Sequence, residues 1–338
     1  MNQTPPATVC AVVLTYNRPG ALHTCLEHLH AQTRLPDYVL VVDNGSVDDT
    51  LEMLARGWPE VGVLALSPNI GAAAGFAAGM AHAYAAGFDW LWIMDDDAYA
   101  RPDALERLLA QAPAADILVP WQCSERDGLY GASRFTPRGV VAVPAAEFPE
   151  PRAVQLFAFI GPLISRRVVG RIGLPYSDYF IDMFDWEYAL RAHQAGLRAL
   201  LVPDSVLDHD AGELKPQRLF GLAPPRPRYW RPTWRMYYDT RNALLTFRRR
   251  DLGWPYFAHH LLGQPRAALR ELALEHDGPS RVRWRLRANL DGLRGVAGER
   301  PGLRAPTAQK PVLGSPQQSR PPIEQAPAVP DSQPPLPG

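Results

Sequence analysis

Short apolar runs alternate with helix-patterned segments over roughly the first hundred residues, and each apolar run ends at polar residues. Continuous apolar runs of this length are typical of strands that are buried on both faces. The sequence predicts four such strands, at 8–14, 38–42, 61–66 and 90–94. Apolar or small residues at helical spacing predict the helices between them, at 21–31, 51–57 and 71–86. This alternation predicts an α/β fold with a mostly parallel central sheet flanked by helices.

The pattern is less regular in the second half of the chain. Further predicted elements are strands at 116–121, 156–165 and 199–202, a helix at 104–111 and a helix ending near Ala195. Residues 229–300 are predicted to form basic helices rich in tryptophan and tyrosine. The segment 301–338 contains 11 prolines and almost no large apolar side chains, so it is predicted to be disordered.

Polar clusters follow four of the predicted strands. They are Thr15–Arg18, Asp43–Ser46, Asn69–Gly71 and Asp95–Asp97. The carboxyl ends of parallel strands meet at one edge of an open sheet, and ligands bind at that edge in folds of this type. The coincidence of four polar clusters therefore predicts a binding site there.

The three adjacent carboxylates of Asp95, Asp96 and Asp97 repel one another unless a cation lies among them. A divalent metal ion bound to a phosphate meets that need. Because side chains alternate along a strand, Asp95 and Asp97 are predicted to chelate the ion while Asp96 points the other way. The alternative is an acidic turn in which Asp97 caps the following helix.

Two other strand ends carry candidate ligand contacts. Asp43 can accept a hydrogen bond from a pyrimidine ring or a ribose hydroxyl, or it can serve only as a turn former. The helix that begins after Asn69 has no bulky side chain in its first turn, which lets a phosphate approach its backbone N–H groups. The alternative is close packing of that helix on the sheet. The spacing of Gly71, Gly75 and Gly79 fits neither a dinucleotide fingerprint nor a P-loop.

Two candidates for proton transfer or metal binding lie later in the chain. Asp185 and Glu187 alternate with Phe184 and Trp186, and an aromatic setting that excludes water raises the pKa of a carboxylate and suits a general base. Alternatively, both acids only favour the first turn of a helix through its dipole. His209 follows a predicted strand and is a candidate metal ligand or diphosphate contact, although a lone histidine is more often structural.

The formal net charge of the 338-residue chain is zero, but its distribution is uneven. The stretch from Lys215 to Arg304 contains 19 Lys and Arg against 7 Asp and Glu. No nucleic-acid-binding motif accompanies this charge, so nucleic acid is not expected as a partner. Three cysteines without ligand spacing suit a reducing cytoplasm, and neither a signal peptide nor a transmembrane helix is predicted. We therefore expect a cytoplasmic protein. Arg241, Arg248–Arg250 and Trp254 are a candidate surface for anionic lipid headgroups at the inner face of the cell membrane, and the alternative is an ordinary solvated helix face with the tryptophan in the core.

Seven stretches in order resemble family 2 glycosyltransferases with a GT-A fold. They are AVVLTYNRPGAL, VLVVDNGSVDDT, NIGAAAGFAAGM, WLWIMDDDAY, FAFIGPLISRRVVGRIGLP, DYFIDMFDWEYALRAHQAG and VPDSVLDH. The resemblance covers about residues 8 to 250 and points to the bacterial galactofuranosyltransferase and rhamnosyltransferase branch. The predicted domains are a GT-A catalytic domain at 1–212, a basic, aromatic-rich helical extension at 213–300 and a proline-rich disordered tail at 301–338.

The resemblance implies a role for each candidate residue. The residues that would contact the nucleotide sugar are Thr15, Tyr16, Asn17, Arg18, Asp43, Asn44, Asn69, Gly71, Asp95 and Asp96. Asp95, Asp97 and His209 would hold Mg²⁺ or Mn²⁺ against the diphosphate. Trp186 and Arg241, the latter in a YYxxRN segment, would contact the acceptor or its lipid.

Asp185 would be the catalytic base that deprotonates the acceptor hydroxyl, and Glu187 would support it or bind the acceptor. Related sequences often carry two acids directly before this helix, whereas this chain has Phe184 at the first of those positions. Asp182 is therefore an alternative base.

The expected activity is metal-dependent transfer of a sugar, with inversion, from a UDP- or dTDP-linked donor to a hydroxyl of a lipid-linked or cell-envelope polysaccharide acceptor. Galactofuranose and rhamnose are the favoured sugars. One alternative is a non-catalytic relative that binds sugar nucleotide or lipid. It is supported by Phe184, which stands where related sequences often carry an acid. Another is a nucleotidyltransferase, which would normally have a glycine-rich, basic loop after the first strand, unlike Thr15–Gly20.

Overall fold

The central sheet of the computed structural model is built from the predicted apolar runs. The structure describes residues 7–124, 128–130, 133–136, 139–142, 150–209, 214–217, 226–229, 231–275 and 277–303. Its strands are β1 (Val9–Thr15), β2 (Tyr38–Asp43), β3 (Gly62–Ala65), β4 (Trp90–Asp95), β5 (Tyr99–Ala100), β6 (Ile117–Ser124), β7 (Gly128–Tyr130), β8 (Ser133–Thr136), β9 (Gly139–Ala142), β10 (Arg152–Val154), β11 (Leu163–Ser165), β12 (Ala199–Asp208), β13 (Leu214–Gln217) and β14 (Arg226–Tyr229). Its helices are α1 (Pro19–His30), α2 (Thr50–Gly57), α3 (Ala72–Ala85), α4 (Ala104–Ala110), α5 (Arg166–Ile172), α6 (Phe184–Gln194), α7 (Thr233–Arg250), α8 (Gly253–Leu274) and α9 (Gly278–Arg294).

Parallel pairing brings the polar strand ends together. The main sheet has the order β10-β12-β6-β11-β4-β1-β2-β3, with β5 paired to β12 and β7 paired to β6. β1 runs parallel to both β2 and β4, and the registers align Thr15 with Asp43 and Leu14 with Asp95. β11 runs antiparallel to β4 and β6, so the sheet is mixed. The predicted α/β class is confirmed, and three polar clusters lie at one edge of the sheet.

The side chains of β1 alternate between two cores on opposite faces of the sheet. Val12 packs in a cluster that includes residues of α3 and α6, and Val13 packs in a cluster that includes residues of α1 and α4. Both valines have no exposed surface, which explains why the strand reads as one continuous apolar run. Full burial of such a side chain contributes about 1.5–3 kcal/mol to the free energy of folding. The two cores therefore hold the strand in place, and with it the position of its carboxyl end.

Three elements differ from the predictions. The strand predicted at 156–165 forms only at Leu163–Ser165, and the prediction is wrong for 156–162. Gly161 has a φ of +83° and the following proline has no backbone N–H, so the chain turns there although Phe157 and Phe159 remain buried. The strand predicted at 199–202 continues to Asp208. Helix α5 was not predicted, because its two valines and one glycine are weak helix formers.

The three long helices α7, α8 and α9 pack against one another. A third core joins α7 and α9 to the segment before α6, with Phe180 packed among Tyr237, Tyr238 and Ala288. The division into domains at 212 and 300 stays a prediction, and the proline-rich segment lies outside the described residues from 304 onward. Within the described ranges, no helix is both long and apolar enough to cross a membrane.

Candidate active site

The loops after β1 and β2 are joined at the carboxyl edge of the sheet. Asn17, with a φ of +55°, donates its backbone N–H to the hydroxyl of Ser46 at 2.9 Å, and its side-chain oxygen accepts the backbone N–H of Val47 at 2.8 Å. Asn44 is 3% exposed and accepts a backbone N–H from the loop after β3 at 3.1 Å. Tight contacts of this kind give the edge a fixed shape.

Asp43 is the last residue of β2 and lies at this edge of the sheet. Its two carboxylate oxygens lie 3.3 and 3.2 Å from the backbone nitrogen of Ser46, so the turn interpretation is met in the structure. Asp43 is 1% exposed, and burial raises its pKa although the contacts with Ser46 lower it. Contact between Asp43 and a nucleotide base stays a prediction, as does contact with the neighbouring half-buried Tyr16.

A glycine is required where α3 begins. Gly71 has a φ of +88°, and a Cβ atom there would lie 2.5 Å from the carbonyl oxygen of Phe180. The side-chain oxygen of Asn69 accepts the backbone N–H of Gly71 at 2.9 Å. The backbone N–H of Ala73 is donated to the carbonyl of Phe180 at 3.1 Å. The backbone N–H of Ala73 is therefore already bonded within the protein. The predicted phosphate contact applies to the other N–H groups in the first turn of α3.

Asp96 is the buried member of the acidic triplet after β4. Its oxygens accept the hydroxyl of Thr15 at 2.7 Å and the guanidinium of Arg18 at 2.8 Å. Arg18 also donates to Asp97 at 2.8 Å. Burial raises the pKa of Asp96 to about 7, although Arg18 and Thr15 lower it. Both oxygens of Asp96 are engaged within the protein, so it acts on the predicted nucleotide pocket by fixing Arg18.

The other two acids of the triplet have different surroundings. Asp95 is half-buried at the end of β4, and its pKa is raised well above its usual value by burial and by the charges of Asp97 and Asp96. The Nε2 atom of His209 lies 3.5 Å from Oδ1 of Asp97. Two of the three predicted metal ligands, Asp97 and His209, are therefore neighbours.

The triplet fits a divalent cation that is shared with a ligand. Within the described residues, no group of three or more His, Cys, Asp or Glu side chains is arranged to hold a metal ion. Mg²⁺ commonly binds one or two carboxylates together with substrate phosphates and water, so a closed protein site is not needed. The crowded negative charge around Asp95 is what a cation would relieve. Asp95, Asp97 and His209 stay the predicted ligands of Mg²⁺ or Mn²⁺, which would be bound together with a diphosphate.

Asp185 lies in the first turn of α6 with a half-buried carboxylate. Its Oδ1 accepts the backbone N–H of Trp186 at 2.9 Å. Burial raises the pKa of Asp185 to about 6; the hydrogen bond to Trp186 opposes this rise and the charge of Asp182 adds to it. The charge of Asp185 also contributes to the raised pKa of Asp95, so the two groups are within electrostatic reach. A carboxylate with a pKa near 6 is mostly ionised at pH 7 and still basic enough to accept a proton.

Asp182, the alternative base, is held by Arg235 of α7. Arg235 donates Nη2 to Oδ1 of Asp182 at 2.7 Å and Nε to Oδ2 at 3.3 Å. Such a two-point ion pair turns both carboxylate oxygens towards the guanidinium. This arrangement favours Asp185 over Asp182 as the base.

Phe184 has a packing explanation. It is 6% exposed, and its ring lies 5.9 Å from the ring of Phe76 and 5.5 Å from that of Phe159. Trp186 is half-buried and packs against the same core. An aromatic residue in place of an acid thus completes the core beneath α6, and the non-catalytic alternative stays open until activity is measured.

Glu187 has no exposed surface. Its carboxylate lies 3.0 Å from Nη2 of Arg191 and 3.2 Å from Nε of Arg250. Burial raises the pKa of Glu187, and the two arginines oppose that rise. The pair with Arg191 lies within α6, and the pair with Arg250 joins α6 to the end of α7. This arrangement fits the predicted supporting role, and contact with an acceptor stays a prediction.

The segment Tyr179–Met183, which we call the base loop, has an unusual backbone. Three of its non-glycine residues have φ between 58 and 66°. Such conformations cost about 1–3 kcal/mol each and persist only where the surroundings hold them. The buried side chain of Asn242 holds this one: its Nδ2 lies 3.0, 2.7 and 2.9 Å from the carbonyl oxygens of Tyr179, Ile181 and Asp182. The loop that leads to Asp185 is therefore shaped by α7.

The structure places Arg241 inside the protein instead of on the surface predicted for acceptor contact. Arg241 is 1% exposed, and it donates to the carbonyl of Tyr179 at 3.0 Å and to the side chain of Asn242 at 2.9 Å. Burial lowers its pKa. A signal for this role exists in the sequence, because Tyr238, Arg241 and Leu245 recur at the spacing of a buried helix face.

Comparison with known sequences gives a consistent result. The sequence model described as "Glycosyl transferase family 2" matches residues 10–137. Galactofuranosyltransferase GlfT1 of Mycobacterium tuberculosis is 36% identical over 223 residues, which cover 62% of this chain and 73% of the relative. The N-acetylglucosaminyl-diphospho-decaprenol L-rhamnosyltransferase of the same organism is 27% identical over 232 residues, which cover 59% and 75%.

Two solved structures share the fold at low sequence identity. Staphylococcus aureus TarS in complex with UDP-GlcNAc has a TM-score of 0.55 and 16% identity, covering 86% of this chain and 81% of that chain. GalNAc-T7 with UDP, GalNAc and Mn²⁺ has a TM-score of 0.55 and 14% identity, covering 87% and 57%. Likeness at this level shows the fold, and the predicted GT-A fold is confirmed.

Proposed function

This chain is a member of glycosyl transferase family 2, in the galactofuranosyltransferase and rhamnosyltransferase branch, and we propose that it transfers galactofuranose or rhamnose to a cell-envelope acceptor. The donor is a UDP- or dTDP-linked sugar. The acceptor is a hydroxyl group of a lipid-linked or polysaccharide substrate at the cytoplasmic side of the membrane. The anomeric configuration inverts in a single displacement, with Mg²⁺ or Mn²⁺ as cofactor.

The observation that carries this proposal is the position of Asp185: its half-buried carboxylate, in the first turn of α6, lies within electrostatic reach of Asp95 at the end of β4, and burial raises its pKa to about 6. The carboxylate of Asp185 suits proton acceptance, and the acidic triplet suits a cation shared with a diphosphate. Sugar transfer from a nucleoside diphosphate uses both functions, one on each side of the anomeric carbon. The names of the two relatives add support for the sugar and for a diphospho-decaprenol acceptor.

Asp185 accepts the proton of the acceptor hydroxyl as that oxygen attacks the anomeric carbon. The bond between this carbon and the diphosphate oxygen breaks on the opposite face, and its electron pair leaves with the nucleoside diphosphate. The proton stays on Asp185 until it passes to solvent. A divalent ion held by Asp95, Asp97 and His209 would supply positive charge to the leaving diphosphate.

The donor lies along the edge formed by the ends of β1, β2 and β4. Its predicted contacts are Thr15, Tyr16, Asn17, Arg18, Asp43, Asn44, Asn69 and Gly71. The side chain of Arg18 is 49% exposed, so its guanidinium reaches a donor phosphate while Asp96 and Asp97 fix its orientation. Trp186 lies beside Asp185 and offers an aromatic surface to the acceptor.

A screen of nucleotide sugars tests the proposal, with UDP-galactofuranose and dTDP-rhamnose first. Thermal unfolding of the full chain is recorded with and without Mg²⁺ or Mn²⁺, and release of nucleoside diphosphate is measured with a polyprenyl-diphosphate-linked acceptor. We expect one donor to raise the unfolding temperature only in the presence of metal and to support turnover. Stabilisation without turnover would identify a non-catalytic sugar-nucleotide binder. If no donor raises the unfolding temperature, the proposal is refuted.

A further inference from the structure

The solvent side of α8 carries an apolar stripe. Its four members are between 47 and 74% exposed, and they are Trp254, Leu262, Leu269 and Leu272. At about 100° per residue they lie within an arc of about 80° around the helix. The buried residues of α8 are Tyr256 and Glu271, which lie on a different side of the helix. Large apolar side chains aligned on the exposed side indicate a surface for a partner.

Positive charge lies beside this stripe. Arg266 and Arg270 follow Leu262 at about 40 and 80° further around the helix, and both are exposed. The sequence of α8 contains one acid, Glu271, which is 4% exposed and accepts a hydrogen bond from Arg285 at 2.9 Å. The charge that α8 presents to solvent is therefore positive.

Helix α9 repeats the arrangement. Leu286, Leu290 and Leu293 are 67, 39 and 42% exposed and share one side of the helix at i, i+4 and i+7 spacing. The exposed Arg283 and Arg294 flank them. The one acid in the sequence of α9, Asp291, is 1% exposed and accepts a hydrogen bond from Tyr237 at 2.7 Å.

A largely apolar cavity of about 230 Å³ is lined by residues of α7, α8 and α9. Phe257 of α8, Leu293 of α9 and Arg248 of α7 are among its lining residues. The ring of Trp254 packs on that of Phe257 with centroids 5.2 Å apart. Both stripes therefore adjoin the cavity, and with their flanking arginines they form one surface, which we call the α8–α9 face.

We propose that the α8–α9 face binds the surface of a membrane that contains anionic phospholipids. A helix of about 33 Å, calculated for the residues of α8, is long enough to lie in the interface with its apolar side among the acyl chains. The flanking arginines then contact lipid phosphates. A second copy of the chain fits less well, because symmetric pairing would bring the arginines of two identical faces together.

This inference rests on the proposed function in one respect, which is that a lipid-linked acceptor makes the membrane the place of action. Binding to lipid needs no sugar donor, so the two proposals are tested separately. Transfer in detergent without vesicle binding counts against the α8–α9 face alone. Vesicle binding without transfer counts against the proposed function alone.

The experiment is sedimentation of the full chain with vesicles of phosphatidylcholine, alone or mixed equally with phosphatidylglycerol. We expect clear partition only onto the mixed vesicles. Leu262→Ser with Leu269→Ser should lower that partition at least about tenfold, because two large side chains no longer enter the acyl region. Arg266→Ala with Arg270→Ala should lower it about thirtyfold, as expected for two arginines near an anionic surface.

The matched controls are Leu35→Ser and Arg56→Ala, which change a leucine that is 50% exposed and an arginine with a side chain that is 80% exposed, both outside α8 and α9. They should bind like the wild type.

Unchanged partition of both double variants, or equal partition of the wild type onto neutral and anionic vesicles, would overturn the proposal. So would a wild-type dimer that becomes a monomer in the leucine variant, since the occupant would then be a second copy. Thermal unfolding of each variant shows whether it is folded. If one double variant does not fold, the other still tests the proposal.

Discussion

The donor side and the base side of the candidate site are built in different ways. On the donor side, Thr15 and Arg18 contact Asp96 directly across the ends of β1 and β4. On the base side, Asp185 follows a loop with left-handed backbone that is held by Asn242, which lies 61 residues after Ile181 in the chain. The sheet and the loops that follow its strands position most of the donor side, whereas helix packing imposes the shape of the base side. A change at the base should therefore lower turnover while donor binding remains, and a change at the donor side should affect metal-dependent donor binding.

The largest expected effect comes from Asp185→Asn. It keeps the size of the side chain but removes the proton acceptor, so kcat should fall by about 10²–10⁴-fold, the usual contribution of a general base. Metal-dependent stabilisation by the donor, measured by thermal unfolding, should remain because the donor side is unchanged. Asp182→Asn is the matched control. If it lowers kcat more than Asp185→Asn does, Asp182 is the base.

Asp97→Ala tests the other side. The variant loses a carboxylate that lies 2.8 Å from Arg18 and 3.5 Å from His209, and with it a predicted metal ligand. Turnover should fall at least about a hundredfold, and the metal should no longer increase donor stabilisation. Asp103→Ala removes a surface acid paired with Arg107 and should have little effect. Full activity of the Asp97 variant would disprove the metal assignment.

Asn242→Ala should produce a smaller, mixed effect. Three carbonyl groups of the base loop lose their side-chain donor, so the free energy of unfolding should fall by about 1–3 kcal/mol. We expect kcat to fall about tenfold through misplacement of the base, with little change in the donor KM. Asn289→Ala, which removes an amide bonded to the carbonyl of Arg285 within α9, is the control for stability alone. A variant that is less stable yet has the wild-type kcat would show that the loop does not position the base.

The smallest effect is the pH dependence of the wild type. Burial raises the pKa of Asp185 to about 6, and the base acts in its ionised form. Activity should therefore be highest above pH 6 and fall about tenfold per pH unit well below it. The acid limb should be absent from Asp185→Asn and present in Asp97→Ala. An acid limb that persists in Asp185→Asn would show that a different carboxyl titrates.

The sequence was sufficient to predict the sheet and the polar edge. Thr15, Asp43 and Asp95 each end a run of apolar residues, and parallel pairing brings such ends together whatever the remaining chain does. Their confirmed placement follows from strand periodicity and fold class. Their roles towards a donor and a metal stay predictions, because those depend on molecules that the sheet does not specify.

Contacts between distant segments could not be predicted in the same way. Arg235 and Asp182 are separated by 53 residues, and no periodicity relates them. The ion pair of Glu187 with Arg250 also depends on how α7 packs against α6, and the interior position of Arg241 depends on its contact with the base loop. From the sequence, both residues were candidates for direct functional contacts. Local signals also failed at 156–162, where one glycine and one proline redirected an apolar run into the core without forming a strand.

The hold of Asn242 on the base loop has a practical consequence for fragments of this protein. A truncated chain that ended after β12 would keep Asp95, Asp97 and Asp185. It would lack the amide that holds the carbonyls of Tyr179–Met183. A boundary drawn where the strands stop therefore separates the candidate base from its support, and a functional fragment has to include α7.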